Sequence, residues 1–295
     1  MEKIGFLGLG AMGVPMARNI QQGGYPLAVY NRTTARAAPL QAEGAELAKS
    51  PRELAGRSDM VVIMVTGPDD LLAMIDGPDG VVAGLTRGKV VINMSTVSDA
   101  ATARAAALVQ AKGADFVDAP VSGSVKPAID AALVILAGCN AKVLPRVTPL
   151  LKTMGREVVH CGEIGSGTRM KLVLNLMLGN MMQTLAEGML LAKGFGLTPD
   201  AVLHALGGGA MAAPMYQVKG KAIAEGNFAK QFPVHLVFKD LNLVLEAAGK
   251  LHIPLPQTAA ARECFNSAMA RGYADEDMAA VIKVLEGITG RQLRG

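Results

Sequence analysis

Short, unbroken apolar runs alternate with longer segments of mixed polarity through the first half of the chain. Strands are expected at 3–8, 27–30, 60–65, 89–93, 115–118, 132–137 and 157–160. Helices are expected near 11–22, 34–43, 51–56, 69–75, 98–112 and 141–154. A strand covered on both faces has no polar side, so it reads as a continuous apolar run, as Met60-Val61-Val62-Ile63-Met64-Val65 does. Such strands separated by helical segments predict a mostly parallel, doubly wound α/β sheet. The pattern changes at Gly162-Glu163-Ile164-Gly165-Ser166-Gly167, beyond which no clear strand remains. A helical run extends from 166 to about 193. It is roughly 42 Å long at the usual rise, enough to link two domains. Gly194 and Gly196 end it, and Thr198-Pro199-Asp200 starts the next helix. Further helices are expected at 199–206, 214–225, 234–250, 256–271 and 276–286. The chain therefore divides into an α/β domain over 1–164, a long interdomain helix, and an all-α domain over 165–295.

The linking helix is apolar on most faces, with Met170, Leu172, Val173, Leu174, Leu176, Met177 and Leu178 in succession around its few polar positions. All-round hydrophobicity implies burial on several sides. A second subunit, in a homodimer or homotetramer, accounts for that burial, and so does a core within one chain.

The first strand runs straight into Gly8-Leu9-Gly10-Ala11-Met12-Gly13 and then into a helix. This order of strand, glycine turn and helix fits a dinucleotide site. The first glycine permits the tight turn, the second lets backbone approach a pyrophosphate, and the third packs the helix close to the strand. An NAD site usually adds an acid about 20 residues later to hold the ribose 2′-hydroxyl. Here the second strand ends in Asn31-Arg32-Thr33-Thr34, with no acid. Arg32 offers a planar, permanently charged fork suited to a 2′-phosphate, which points to NADPH rather than NADH. Thr33 can add a hydroxyl contact or cap the next helix. Residues 1–164 are thus expected to form a Rossmann-type dinucleotide-binding domain.

Composition narrows the partners. A length of 295 residues suits two domains, and 51% hydrophobic residues suffice for a sizeable core. A net charge of +4 with dispersed basic residues, 4% aromatics and no tryptophan argue against a nucleic-acid surface. Charges or turn residues interrupt every long apolar run, so no membrane span is expected. Met1-Glu2-Lys3 leads into a strand, which reads as the absence of a signal peptide. Three scattered cysteines suggest a reducing, cytoplasmic setting. The four histidines share no metal-binding spacing with cysteines or carboxylates, so no metal is expected.

Two groups carry candidate chemistry. Lys171 and Asn175 stand four residues apart on the linking helix, hence on one face. A partly desolvated lysine beside a cleft can donate a proton to a carbonyl oxygen, and an asparagine can orient it. The same pair also fits the solvent stripe of a helix. Asp118-Ala119-Pro120-Val121-Ser122-Gly123-Ser124 follows a strand. Its hydroxyls and amides can form a nest for a carboxylate, or simply a polar turn. Lys239-Asp240, following Phe232-Pro233, reads by default as helix surface.

Taken together, these segments resemble the β-hydroxyacid dehydrogenase family. The resemblance rests on Gly-Leu-Gly-x-Met-Gly at 8–13, Asp-Ala-Pro-Val-Ser-Gly-Ser at 118–124, Gly-x-x-x-Lys-x-x-x-Asn at 167–175, and Lys239-Asp240. It implies that Lys171 is the general acid/base, assisted by Asn175, and that Ser122, Gly123 and Ser124 hold a substrate carboxylate. It also implies that Val65, Thr96 and Lys239 contact the cofactor and that Phe232 and Asp240 line the substrate pocket. Within the family, Asn31-Arg32-Thr33 and Ser122-Gly123-Ser124 look most like NADPH-dependent glyoxylate/succinic semialdehyde reductases. The implied reaction reduces a short carboxylate-bearing aldehyde to its hydroxy acid. The alternatives are a 3-hydroxyisobutyrate or tartronate semialdehyde enzyme, and a non-catalytic dinucleotide-binding module. Phosphogluconate dehydrogenases have a histidine where this chain has Leu174, and imine reductases lack the lysine. One departure is Ile129-Asp130-Ala131, where related sequences often read Glu-Asp-Gly.

Overall fold

In the computed structural model, which describes residues 1–293, the apolar runs form the centre of a nine-stranded sheet. Its strands are β1 (Ile4–Leu7), β2 (Leu27–Tyr30), β3 (Glu46–Leu47), β4 (Met60–Ile63), β5 (Val90–Asn93), β6 (Asp115–Asp118), β7 (Val121–Ser122), β8 (Leu133–Gly138) and β9 (Gly155–Gly162). The order is β3-β2-β1-β4-β5-β6-β8-β7, with β9 paired to β8. The strands from β3 to β6 along that order are parallel, β8 runs antiparallel to β6 and β7, and β9 is parallel to β8. Helices α1 (Gly13–Gln22), α2 (Ala38–Ala42), α3 (Pro51–Arg57), α4 (Pro68–Ile75), α5 (Asp99–Gln110), α6 (Val125–Ile129) and α7 (Leu144–Leu151) connect them.

Alternate residues of each central strand feed different cores. Phe6, Met60, Val62, Val90, Ile92 and Val117 pack on one face with Met16 of α1, Leu40 of α2 and Leu150 of α7. Leu7, Val61, Ile63, Val91 and Phe116 pack on the other with Leu54 of α3, Leu71 of α4 and Ala105 of α5. Burial on both faces is the physical reason for the unbroken apolar runs. It makes this a doubly wound α/β sheet.

The remaining helices are α8 (Ser166–Gly194), α9 (Pro199–Gly208), α10 (Pro214–Glu225), α11 (Val234–Lys250), α12 (Pro256–Ala270) and α13 (Ile282–Thr289). The chain forms two compact units, which meet in sequence within α8 between Lys171 and Leu172. The second unit is helical around a core of Met182, Leu185, Met189, Leu241, Phe265 and Val281. No helix among the described residues is long and apolar enough to cross a membrane.

Some elements depart from the sequence pattern. The segment expected as one helix at 34–43 is a 3₁₀ turn, Thr34–Ala37, followed by α2. The segment expected at 276–286 is a 3₁₀ turn, Met278–Val281, followed by α13. The two-residue strands β3 and β7 and the five-residue α6 are too short to carry a periodic signal.

The start of α8 is anchored to the sheet by one buried side chain. Asp118, fully buried at the end of β6, accepts the Gly165 N–H on Oδ1 and the Thr168 N–H on Oδ2, both at 2.7 Å. The amides at a helix start have no partners within the helix, and the macrodipole there favours a carboxylate. The Thr168 and Thr102 hydroxyls lie 3.0 Å apart, which ties the same turn to α5. A Cβ on Gly167 would stand 2.1 Å from the Leu136 carbonyl oxygen, so only glycine lets α8 approach β8 this closely.

Two substitutions test these local constraints. Asp118→Asn replaces one acceptor oxygen by an NH₂ group facing a backbone donor. It is expected to lower unfolding free energy by about 1–3 kcal/mol in chemical denaturation. Ala131 follows the end of α6 with φ +52°, the left-handed position that glycine usually fills. Ala131→Gly is expected to stabilise the protein by about 0.5–1 kcal/mol, because relief of left-handed strain exceeds the added freedom of the unfolded chain.

Candidate active site

The parallel register places the carboxyl ends of five strands in one row. Tyr30 is level with Leu7, Leu7 with Ile63, Ile63 with Asn93, and Asn93 with Asp118. The segments that continue from this row hold the glycine turn, Asn31-Arg32-Thr33, Val65, Thr96 and the Ser122 loop. In open α/β sheets that edge is where ligands bind, at the point where strand order reverses on either side of β1.

The glycine turn has the shape that phosphate binding requires. Gly8 has φ +99°, and a Cβ there would stand 2.1 Å from the Met64 carbonyl oxygen. A Cβ on Gly13 would stand 1.9 Å from the Gly8 carbonyl oxygen, so the start of α1 presses directly on the turn. Gly10 has no protein atom within 4 Å of its Cβ position, leaving a smooth approach to backbone. Ala11 is exposed and Met12 half-buried, while Leu9 is buried. No side chain caps α1 at Met12. This backbone suits a dinucleotide pyrophosphate, with the amides of α1 as donors.

Asn31 braces the turn. Its Oδ1 accepts the Leu9 N–H at 2.8 Å, and its Nδ2 donates to the Thr33 carbonyl at 2.9 Å. Thr33 occupies the cap position of the 3₁₀ turn but makes no capping bond through its side chain. Of the two roles open to it, capping is therefore removed. Arg32 extends from this braced loop, its side chain 71% exposed, and pairs with Asp70 at 3.1 Å. Arg32, Arg36, Asp70, Val65, Thr66, Gly8 and Gly10 line one open groove. The Val65 N–H is held by Ser95 Oγ at 2.8 Å, which couples the loops after β4 and β5. Thr96, half-buried, follows Ser95 on the second of these loops.

The Ser122-Gly123-Ser124 segment passes from β7 into α6. Gly123 has φ +135°, and a Cβ there would lie 2.8 Å from the Leu133 side chain. Ser122 and Ser124 are half-buried, and Ser124 makes no capping bond to α6 through its side chain. Its hydroxyl is therefore not spent on the helix start that it precedes.

Lys171 is 9% exposed and Asn175 3% exposed, one turn apart on α8. Their burial removes the solvent-stripe alternative. Asn175 Nδ2 donates to Asp240 Oδ2 at 2.7 Å, and Asp240 Oδ1 lies 2.9 Å from Lys239 Nζ. Asp240, at 3% exposure, is therefore no surface residue, contrary to its default reading. It lies on the buried face of α11 with Val237, Leu241 and Val244, which a charged dipeptide alone does not signal. Phe232 is half-buried against the second unit's core, and its N–H donates to Asp277 Oδ2 at 3.1 Å.

Three residues emerge only in three dimensions. Asp118 opens the serine motif, yet its work is to hold α8. Burial pushes its carboxyl above the usual range, opposed by the Gly165 and Thr168 amides. Arg36 and Asp70 join the groove from segments that carry no motif. The sequence signal for Asp118 is its place at the end of β6 and the head of the serine motif, which does not disclose that it holds a helix.

Two family profiles cover nearly the whole chain. One, described as the NAD binding domain of 6-phosphogluconate dehydrogenase, matches residues 3–162. The other, described as NAD-binding of NADP-dependent 3-hydroxyisobutyrate dehydrogenase, matches residues 165–285. Glyoxylate/succinic semialdehyde reductase 2, chloroplastic, of Arabidopsis thaliana is 36% identical, over 98% of this chain and 81% of that protein. The 2-(hydroxymethyl)glutarate dehydrogenase of Eubacterium barkeri is 37% identical, over 99% of this chain and 98% of that protein. Among solved structures, Mycobacterium tuberculosis 3-hydroxyisobutyrate dehydrogenase with L-serine matches with a TM-score of 0.89 at 28% identity, covering 97% of this chain and 99% of that one. With a phosphate-binding turn at the switch point of its sheet and relatives matching end to end, the chain belongs to the β-hydroxyacid dehydrogenase family, oxidoreductases that act on CH–OH groups with a nicotinamide dinucleotide.

Proposed function

We propose that this protein is an NADPH-dependent reductase of short carboxylate-bearing aldehydes, such as succinic semialdehyde and glyoxylate, with Lys171 as general acid/base. The observation that carries the reading is the buried Lys171 one turn ahead of Asn175, whose amide is fixed by Asp240. Arg32 in the groove beside the glycine turn supports the 2′-phosphate, and the Arabidopsis relative's name supports the substrate class.

Bound NADPH supplies the hydride. Lys171 holds the proton that the aldehyde oxygen takes as it becomes an alkoxide, and in the reverse direction accepts it from the alcohol. Asn175 orients that oxygen. Asp240 spends one carboxylate oxygen on the Asn175 amide, leaving the asparagine a single orientation. Ser122, Gly123 and Ser124 bind the far carboxylate through hydroxyls and amides. An anchor remote from the reacting carbon fixes orientation, so an aldehyde lacking the carboxylate should lose kcat/KM more than it loses kcat alone. Val173 and Met177, each more than half exposed on α8, support a homo-oligomer. A cytoplasmic location fits the scattered cysteines.

A second reading is a 3-hydroxyisobutyrate or tartronate semialdehyde enzyme, favoured by the similarity to the M. tuberculosis structure. Relative kcat/KM, followed by NADPH absorbance, decides between them. The panel comprises succinic semialdehyde, glyoxylate, tartronate semialdehyde, methylmalonate semialdehyde and the aldehyde of 2-(hydroxymethyl)glutarate. Highest values for the first two are expected. Absence of turnover across the panel despite NADPH binding would instead indicate a binding module.

Lys171→Ala is expected to lower kcat by at least about 10²-fold while NADPH affinity stays nearly unchanged. Wild-type turnover in that variant would refute the role. Arg32→Asp is expected to raise KM for NADPH at least about tenfold more than KM for NADH, measured side by side in steady state.

A further inference from the structure

The segment after β2 carries no acid, yet a carboxylate reaches the same place from another element. Asp70, in the first turn of α4, pairs with Arg32 at 3.1 Å, and both line the groove that Gly8 and Gly10 open onto. Asp70 is 30% exposed at its side chain and Arg32 71% exposed, so the pair sits at the groove's mouth and not in the core. Helix geometry alone does not explain this placement. The start of α4 gains from a negative charge, but Asp69, also in the first turn and exposed, already provides one.

We infer that Asp70 is a specificity-determining counter-charge that narrows this protein's preference for NADPH over NADH. The inference rests on the reading of Arg32 as the 2′-phosphate contact. A 2′-phosphate brings nearly two negative charges and seeks the guanidinium that Asp70 already holds. Asp70 must then yield that partner or share it, and in either case a carboxylate remains beside a phosphate. The ribose 2′-hydroxyl of NADH brings no charge and can donate to a carboxylate, as it does to the acid of an NAD site. Asp70 therefore opposes one cofactor and leaves the other unopposed. Arg36, on the same wall, supplies a second positive charge, so the groove keeps a net attraction for phosphate while Asp70 moderates it.

The test measures NADPH and NADH dissociation constants by nucleotide fluorescence on the full chain. The variants are Asp70→Asn, Asp69→Asn and Arg32→Asp. Asp70→Asn is expected to tighten NADPH about three- to tenfold, with NADH changed by less than about twofold. Asp69→Asn removes the same charge from the same helix turn without touching Arg32, and is expected to move neither constant by more than about twofold. Equal tightening of NADPH in both variants would overturn the pairing in favour of a diffuse field. An Asp70→Asn variant with unchanged NADPH affinity, beside an Arg32→Asp variant that loses it, would overturn the inference and leave the NADPH reading standing. An Arg32→Asp variant that binds NADPH as tightly as the wild type would overturn the NADPH reading itself, and the inference with it. Thermal melting of each variant separates these outcomes from loss of fold.

Discussion

The carboxylate of Asp118 is the contact on which the placement of the start of α8 depends. A helix as long as α8 has ample stability from its apolar faces, but apolar packing is non-directional and tolerates small slides. Two charge-assisted hydrogen bonds donated by the Gly165 and Thr168 amides to one carboxylate are directional, and they set the position of the helix start against β6. Lys171 follows Thr168 by three residues, less than one turn. Its place relative to the strand ends is therefore inherited from a bond made in the sheet. Burying a charge is costly unless its lone pairs are met, and here the unmet amides of the helix start meet them.

The second unit uses the same physics for a different end. Asn175, Asp240 and Lys239 form a chain in which an amide is oriented by a carboxylate and the carboxylate is compensated by an ammonium. A buried asparagine without such a partner can turn over, exchanging donor for acceptor. With Asp240 accepting from Nδ2, the Oδ1 atom is the one left to face other groups. The cluster thus converts a symmetric-looking side chain into one with a defined acceptor end.

Much of this was legible in the chain itself, for identifiable reasons. Strands β1, β4, β5 and β6 announce themselves because both faces are buried, and Gly8, Gly10 and Gly13 because backbone geometry excludes other residues. The elements that were not legible are short, or depend on distant partners. β7 and α6 are stabilised by β8 and by α1's face of the sheet rather than by their own periodicity. Asp240 reads as surface until the orientation of α11 is known, and Asp70 reads as an ordinary helix-start acid until the loop after β2 is placed beside it. Asn31 reads as part of the cofactor loop, and only the fold shows that its side chain also braces the turn. Local sequence encodes what a segment can be, while side chains that act across 38 to 65 residues, as Asp70 and Asp240 do, become readable only through the fold.

That strut separates shape from charge. Asn31 fixes the glycine turn with both ends of its amide, and the residue beside it, Arg32, projects outward with no structural duty to the turn. The loop is in effect a rigid socket with an interchangeable pin. On the proposed reading of Arg32, the charge of the cofactor accepted is set by the pin and its neighbours and the shape of the turn by the socket, so one can change without rebuilding the other.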